Sequence, residues 1–145
     1  MRFWDSSALL PLLVHEETSV RMTALYREDA AVVTWWGTPI ECVSAIARLE
    51  RDGALTASGV RNALERLEAA RPSWAEVPAI DDVRDHAIRL LRVHALRAAD
   101  SMQIAAALVA CNVVPRGVAF VTLDSRQGVA AEREGFSVVG MSPMQ

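Results

Sequence analysis

Four acidic residues stand where chemistry could be done. Asp5 follows the apolar pair Phe3–Trp4 and precedes Ser6, Ser7 and the apolar run Ala8–Val14. A carboxylate at a strand's C-terminal end, with hydroxyl residues opening a helix, occupies the place where open α/β sheets keep their reactive groups. The helix N-terminus adds free N–H groups and the positive end of its dipole. Asp124 repeats the setting after Val118–Leu123, while Glu41 and Asp100 stand at helix beginnings, in Thr38–Pro39–Ile40–Glu41 and in Leu96–Asp100. Capping explains each acid singly: Asp5 and Asp124 as a cap and a turn residue, Asp100 as an N-cap, and Glu41 as the acid of a capping box opened by Thr38 with Pro39 at the first helical position. Together they ask for more. In a parallel sheet the strand ends and the following helix N-termini share one rim, so all four can converge if their strands are neighbours. Converging carboxylates without histidine or cysteine suit a hard divalent cation, Mg2+ above all, and repel one another without it. Such a metal lowers the pKa of a bound water and stabilises charge on phosphoryl oxygens, which is the chemistry of phosphodiester hydrolysis with no side-chain nucleophile. A glycosidase also pairs carboxylates, but in a larger sugar cleft, and a chain with one tyrosine shows little sign of one.

Composition narrows the field. At 145 residues, 52% hydrophobic and 23% charged, the chain is expected to be one globular domain over 1–145, with 140–145 irregular. The net charge of −3 excludes a general basic coat for nucleic acid, though not local phosphate contacts. All 15 basic residues are arginine. Without lysine there is no P-loop and no Schiff base, and phosphoryl-aspartate folds lose their support. No G-x-G-x-x-G marks a dinucleotide site. No apolar run reaches the roughly 18–20 residues that span a bilayer, and Asp5 interrupts any signal-like start, so the expectation is a cytoplasmic protein with no membrane contact. Cys42 and Cys111 read as small buried side chains, neither paired nor metal-bound. His86 and His94 lie about 12 Å apart along one helix, too far to share an ion.

The elements that must position the acids alternate along the chain. Strands are expected at 2–4, 31–34, 73–77, 118–123 and 136–139. Helices are expected at 8–14, 16–29, 38–51, from Thr56 or Ser58 to 70, 81–95, 96–111 and 125–134. Strands separated by one or two helices imply crossovers, hence a parallel sheet of about five strands with helices on both faces, a three-layer α/β/α architecture. The run Leu96–Cys111 reads as a deeply buried helix. Trp35–Trp36 reads as a loop pair, packing at the core's edge or anchoring a partner.

The chain resembles the PIN-domain ribonucleases, and most closely the VapC-type toxins of bacterial toxin–antitoxin modules. FWDSSALL, TPIECVSAIARL, LRAADSMQIAAAL and FVTLDSR, in that order, carry the resemblance nearly end to end. Ser101 stands where alanine is more usual in the family. The resemblance implies Mg2+ or Mn2+ as cofactor, RNA as substrate, a homodimer, inhibition by a cognate antitoxin, and Asp5, Glu41, Asp100 and Asp124 as the catalytic, metal-holding acids. Asp5 and Asp100 would be the main ligands. Glu41 and Asp124 would complete the pocket. Ser6 and Ser7 would order a metal-bound water, and Thr122 would support the acids or touch phosphate. Arg97 and Arg126 would hold phosphate as planar forks. An antitoxin would lay an amphipathic helix or an arginine into the acidic groove. The net acidity implies a structured or sequence-defined RNA. The alternative is a catalytically inactive PIN-fold interaction module, its acids serving as caps and its tryptophan loop binding a partner.

Overall fold

Phe3 and Trp4 are adjacent in β1 (Arg2–Trp4), point to opposite faces, and are buried in two different cores. The same alternation runs through the other central strands of the computed structural model, which describes residues 1–141. Phe120 and Val121 divide in the same way in β4 (Ala119–Val121), as do Val32 and Trp35 in β2 (Val32–Trp35). One core lies under α5 (Asp81–Val93), α6 (Ala98–Ala110) and α7 (Ser125–Glu134). The other lies under α1 (Ser6–Leu13), α2 (Ser19–Glu28), α3 (Thr38–Arg51) and α4 (Ala57–Ala70). With β3 (Ala75–Val77) and β5 (Ser137–Val139), the strands form one sheet in the order β3-β2-β1-β4-β5, all parallel. The three-layer α/β/α arrangement is the expected one.

That order decides where chemistry can occur. From β1 the chain winds outward through β2 and β3, then returns to the other side of β1 to lay down β4 and β5. The winding reverses between β1 and β4, and ligands of open α/β sheets bind at the carboxyl ends of the strands flanking such a reversal. Asp5 follows β1 directly. Thr122, Leu123 and Asp124 follow β4, and α7 starts at Ser125. Phe3 stacks on Phe120 across this pair at 5.4 Å between ring centroids, so the two strands are locked in register.

Several boundaries differ from expectation for local reasons. β2 starts and ends one residue later, which makes Trp35 a buried strand residue and leaves Trp36 54% exposed. The third strand shortens to Ala75–Val77. A tight turn at Arg71–Ser73 precedes it and drops Trp74 into the α4-side core. The fourth strand stops at Val121 instead of Leu123, because Leu123 N donates to Ser7 Oγ at 2.9 Å and Asp124 N to Thr122 Oγ1 at 3.0 Å, in place of a strand neighbour. α5 ends at Val93, and the connection through His94 and Leu96 delays α6 to Ala98. α6 is as buried as its composition demands: Ile104 through Leu108 are each at most 2% exposed.

Cys42 is buried, as expected, and burial pushes its thiol up to about 12; Cys111 is half-buried. Gly140 has φ +106°, and a Cβ there would meet Thr122 O at 2.8 Å, so only glycine lets the chain close over Thr122. The rest of the expected tail, 142–145, lies outside the described residues. Val113, exposed and β-branched, holds φ +61°. Left-handed backbone costs an L-residue about 1–2 kcal/mol, and asparagine tolerates it better. Val113→Asn is therefore expected to raise unfolding stability by about 0.5–1 kcal/mol in a urea titration. Among the described residues no helix is long and apolar enough to cross a membrane.

Candidate acidic active site

Asp5 is a carboxylate taken fully out of water: it is 0% exposed. Its backbone N–H donates to Val121 O at 3.0 Å, prolonging the β1–β4 ladder by one residue. The carboxylate caps α1 by accepting from Ser7 N, and it also accepts from Ser7 Oγ at 3.1 Å and from the Thr122 hydroxyl. Both readings of Asp5 are thus visible at once, a helix cap and a carboxylate at the sheet's switch point. Burial pushes its pKa up to about 6; the Thr122 and Ser7 hydrogen bonds oppose the rise, and the negative field of Asp124 adds to it.

Glu41 does not close a capping box. Gly37 is the N-cap of α3, Thr38 and Pro39 are its first two residues, and Glu41 falls at the fourth. The Thr38 hydroxyl accepts from Trp35 N at 3.3 Å, turning inward, and the Glu41 carboxylate accepts from Gln103 Nε2. Gln103, fully buried on α6, also donates to Thr38 Oγ1 at 3.2 Å. The capping explanation fails because the helix starts one residue earlier than the Thr-Pro pair implies. Burial raises the Glu41 pKa to about 7; the Gln103 amide opposes this, and the charges of Asp5 and Asp100 reinforce it. Gln103→Leu would strip Glu41 and Thr38 of this partner. The expected cost is about 1–3 kcal/mol, read as a lower urea midpoint at pH 8 in chelator.

Asp100 is the third residue of α6 rather than its cap. Its Oδ2 reaches back to Arg97 N at 3.2 Å, and its Oδ1 accepts from Gln127 Nε2 at 3.3 Å. Asp124 is the N-cap of α7, accepting from Gln127 N at 3.0 Å. Gln127, 3% exposed, therefore joins Asp100 and Asp124, and its own Oε1 has no partner among the described residues. A cleft of about 440 Å3 opens over this side, between Arg97, Asp100, Leu123, Asp124, Ser125 and Arg126.

The four acids gather at one rim. Asp5 feels Asp124, and Glu41 feels both Asp5 and Asp100. Thr122 is fully buried with its hydroxyl shared between Asp5 and Asp124 N, so of its two expected roles only support of the acids remains. Ser7 is likewise committed to Asp5 and Leu123 N, while Ser6 makes no side-chain hydrogen bond among the described residues. Arg97 and Arg126 are exposed at the cleft's edge. Gln103 and Gln127 escaped the sequence reading. Gln103 left a faint sign, an amide inside the buried run Ile104–Leu108 and its approach, whereas Gln127 left none in a polar helix.

As donors the set is all oxygen and suits a hard cation. Among the described residues no group of three His, Cys, Asp or Glu side chains stands ready as a metal cage. Mg2+ does not require one, since it keeps several waters and takes one or two direct carboxylates. Two of the acids already resist ionisation through burial and mutual repulsion, a cost that a bound cation removes.

The chain is similar to two curated proteins of Mycobacterium tuberculosis: Ribonuclease VapC45 of strain CDC 1551 / Oshkosh and Ribonuclease VapC49 of strain ATCC 25618 / H37Rv. Each is 32% identical over 137 residues, covering 94% of this chain and 92% of the relative. Among solved structures, a chain of FitAcB from Neisseria gonorrhoeae superposes with a TM-score of 0.70 at 19% identity, covering 95% of this chain and 96% of that one. PAE2754 from Pyrobaculum aerophilum gives a TM-score of 0.60 at 17% identity, over 94% and 87%. No family profile matches the chain.

Proposed function

This chain belongs to the VapC family of PIN-domain ribonucleases, and from that premise we propose that it hydrolyses RNA phosphodiester bonds at its acidic rim, with Mg2+ or Mn2+, as the toxin of a toxin–antitoxin module. One observation carries the reading beyond family membership: Asp5, buried at the sheet's switch point, and the half-buried Glu41 are both held above the usual carboxylate range, and Glu41 is repelled by Asp5. Two acids that gain from neutralisation are a poor choice for capping alone.

Asp5 and Asp100 would hold the metal. Glu41 and Asp124 would complete the pocket, through water on the metal or by orienting the attacking water. Bound there, the cation would supply an activated water and stabilise charge on the phosphoryl oxygens. Thr122 and Ser7 fix the Asp5 carboxylate from behind, and Gln103 and Gln127 fix Glu41 and Asp100. Arg97 and Arg126, at the cleft's edge, would hold the phosphate. The toxin role adds a cognate antitoxin protein, a homodimeric assembly and a cytoplasmic RNA target. In the test, purified protein cuts a panel of RNAs in Mg2+ or Mn2+ and stops in chelator, and Asp100→Asn is inert in both. Cleavage that survives in Asp100→Asn would refute the assignment.

The competing reading, a non-catalytic partner-binding module, draws on Trp36, Ile40 and Val43, exposed by 54%, 61% and 42% beside one another at the start of α3. It predicts that Mn2+ leaves the melting temperature unchanged, since only a ligand of the native state stabilises it.

A further inference from the structure

A second cleft, of about 250 Å3, lies against the acidic one on the outer side of α7. Ser125 and Arg126 line both, so the two are continuous over the first turn of that helix. We propose that this cleft is a subsite for the RNA strand beside the cut, binding one flanking phosphodiester and its nucleoside through Arg133 and Arg126. The inference rests on the ribonuclease reading above and extends it.

Charge comes first. No carboxylate lines this cleft, in a protein of net charge −3. Arg126 and Arg133 are seven residues apart, two helical turns, so they share one face of α7 about 10 Å from each other along its axis. Both are exposed, and neither has an ion pair or side-chain hydrogen bond among the described residues. Arg89, on the neighbouring α5, is differently placed: it holds Glu134 with two bonds, at 2.8 and 3.3 Å. Glu134, behind the His94 wall, is thus paired, and the two guanidinium groups in front have no carboxylate partner among the described residues. A planar fork suits a phosphate better than a point charge would.

Shape and polarity agree. Ala95, Val129 and Ala130 supply small apolar wall between the arginines, room for a ribose or base to lie against. His94 closes one end. Its Nε2 lies 3.1 Å from Glu134 Oε1, which fixes the ring, while its Nδ1 is buried and has no partner. The side chain is 6% exposed, so the cleft wall keeps one unsatisfied polar atom, a kind of group that ordinarily finds water or a ligand. The position matters most. A strand whose scissile phosphate sits at Asp100 and Asp124 has a continuous path out of the acidic cleft over α7, where Ser125 and Arg126 line both clefts. Over α7 it meets Ser125, Arg126 and then Arg133, and the bulk acidity of the chain is locally reversed.

Binding of a fluorescent single-stranded RNA is the test, in Ca2+ to occupy oxygen sites, with anisotropy read at several salt concentrations. Arg133→Gln is expected to weaken binding about tenfold and to reduce the slope of log affinity against log salt by about 0.7, one phosphate contact fewer on a single strand. Arg61→Gln, on the exposed side of α4, is expected to change neither. A dinucleotide too short to leave the acidic cleft should bind Arg133→Gln as it binds wild type. Unchanged binding of the long RNA by Arg133→Gln would overturn the proposal, as would an equal loss in Arg61→Gln, which would mean a general field effect. If wild type cuts RNA in Mg2+, Asp100→Asn does not, and Arg133→Gln binds normally, this inference fails and the ribonuclease reading stands. If wild type never cuts, the ribonuclease reading fails whatever Arg133 does.

Discussion

Asp5→Asn is expected to abolish RNA cleavage and, in chelator at pH 8, to melt at a higher temperature than wild type. Both effects have one cause. The carboxylate is fully buried, and burial lifts its pKa from 3.8 to about 6 despite three hydrogen bonds from Ser7 and Thr122. Holding it ionised in the fold therefore costs on the order of 3 kcal/mol relative to the unfolded chain, since each pKa unit corresponds to about 1.4 kcal/mol. An asparagine keeps the volume and the oxygen that caps α1, and the Thr122 and Ser7 hydroxyls can accept from its amide. The charge that strains the fold is the charge a cation at the proposed site would need, so removing it is expected to trade activity for stability. A drop in rate of at least 100-fold is expected, with circular dichroism unchanged. A variant that loses stability as an ordinary lost cap would, by about 0.5–2 kcal/mol, and still cuts RNA would show Asp5 to be a cap and nothing more.

The metal-free protein should also grow more stable as pH falls from 8 to 5. The folded pKa values of Asp5 and Glu41 are raised, to about 6 and about 7. Between the ordinary carboxylate range near pH 4 and those values, the folded chain binds more protons than the unfolded one, so stability decreases as pH rises. The contribution is complete below about pH 4 and lost once pH passes about 7. Glu134 is different: burial lifts it, but its bonds to Arg89 and His94 more than offset that and hold it low, so its own dependence lies in more acidic solution. The Asp5→Asn, Glu41→Gln double variant is expected to flatten the melting profile between pH 5 and 8. Adding Mn2+ at pH 8 should raise the wild-type melting temperature, by an amount equivalent to about 2.7 kcal/mol at 100 times the dissociation constant. Asp100→Asn should not respond. A wild-type profile that is flat or inverted across this range, and indifferent to Mn2+, would remove the physical basis of the proposed metal site.

The layers, the parallel sheet and the presence of four acids at strand ends and helix starts are legible in the chain, because these are written in local patterns. Alternation of two sets the strand faces at Phe3–Trp4 and Phe120–Val121, helical spacing sets the packed faces, and Asp5 and Asp124 stand beside the strands that deliver them. Strand order is not a local property. That β4 lies against β1 emerges with the packed sheet, and that pairing makes Asp5 and Asp124 neighbours across 119 positions of chain. The same holds for the groups behind the acids. Thr38 reads as a helix cap and Thr122 as a strand-end hydroxyl until packing turns one toward Gln103 and the other onto Asp5. Gln103 and Gln127 have no motif, since a buried amide is defined by the partner that satisfies it, and the partners come from other elements. Ionisation is decided at the same level. A carboxylate's type is legible in the chain, but its pKa depends on the solvent it has lost and the charges it faces, and both exist only once the sheet has closed.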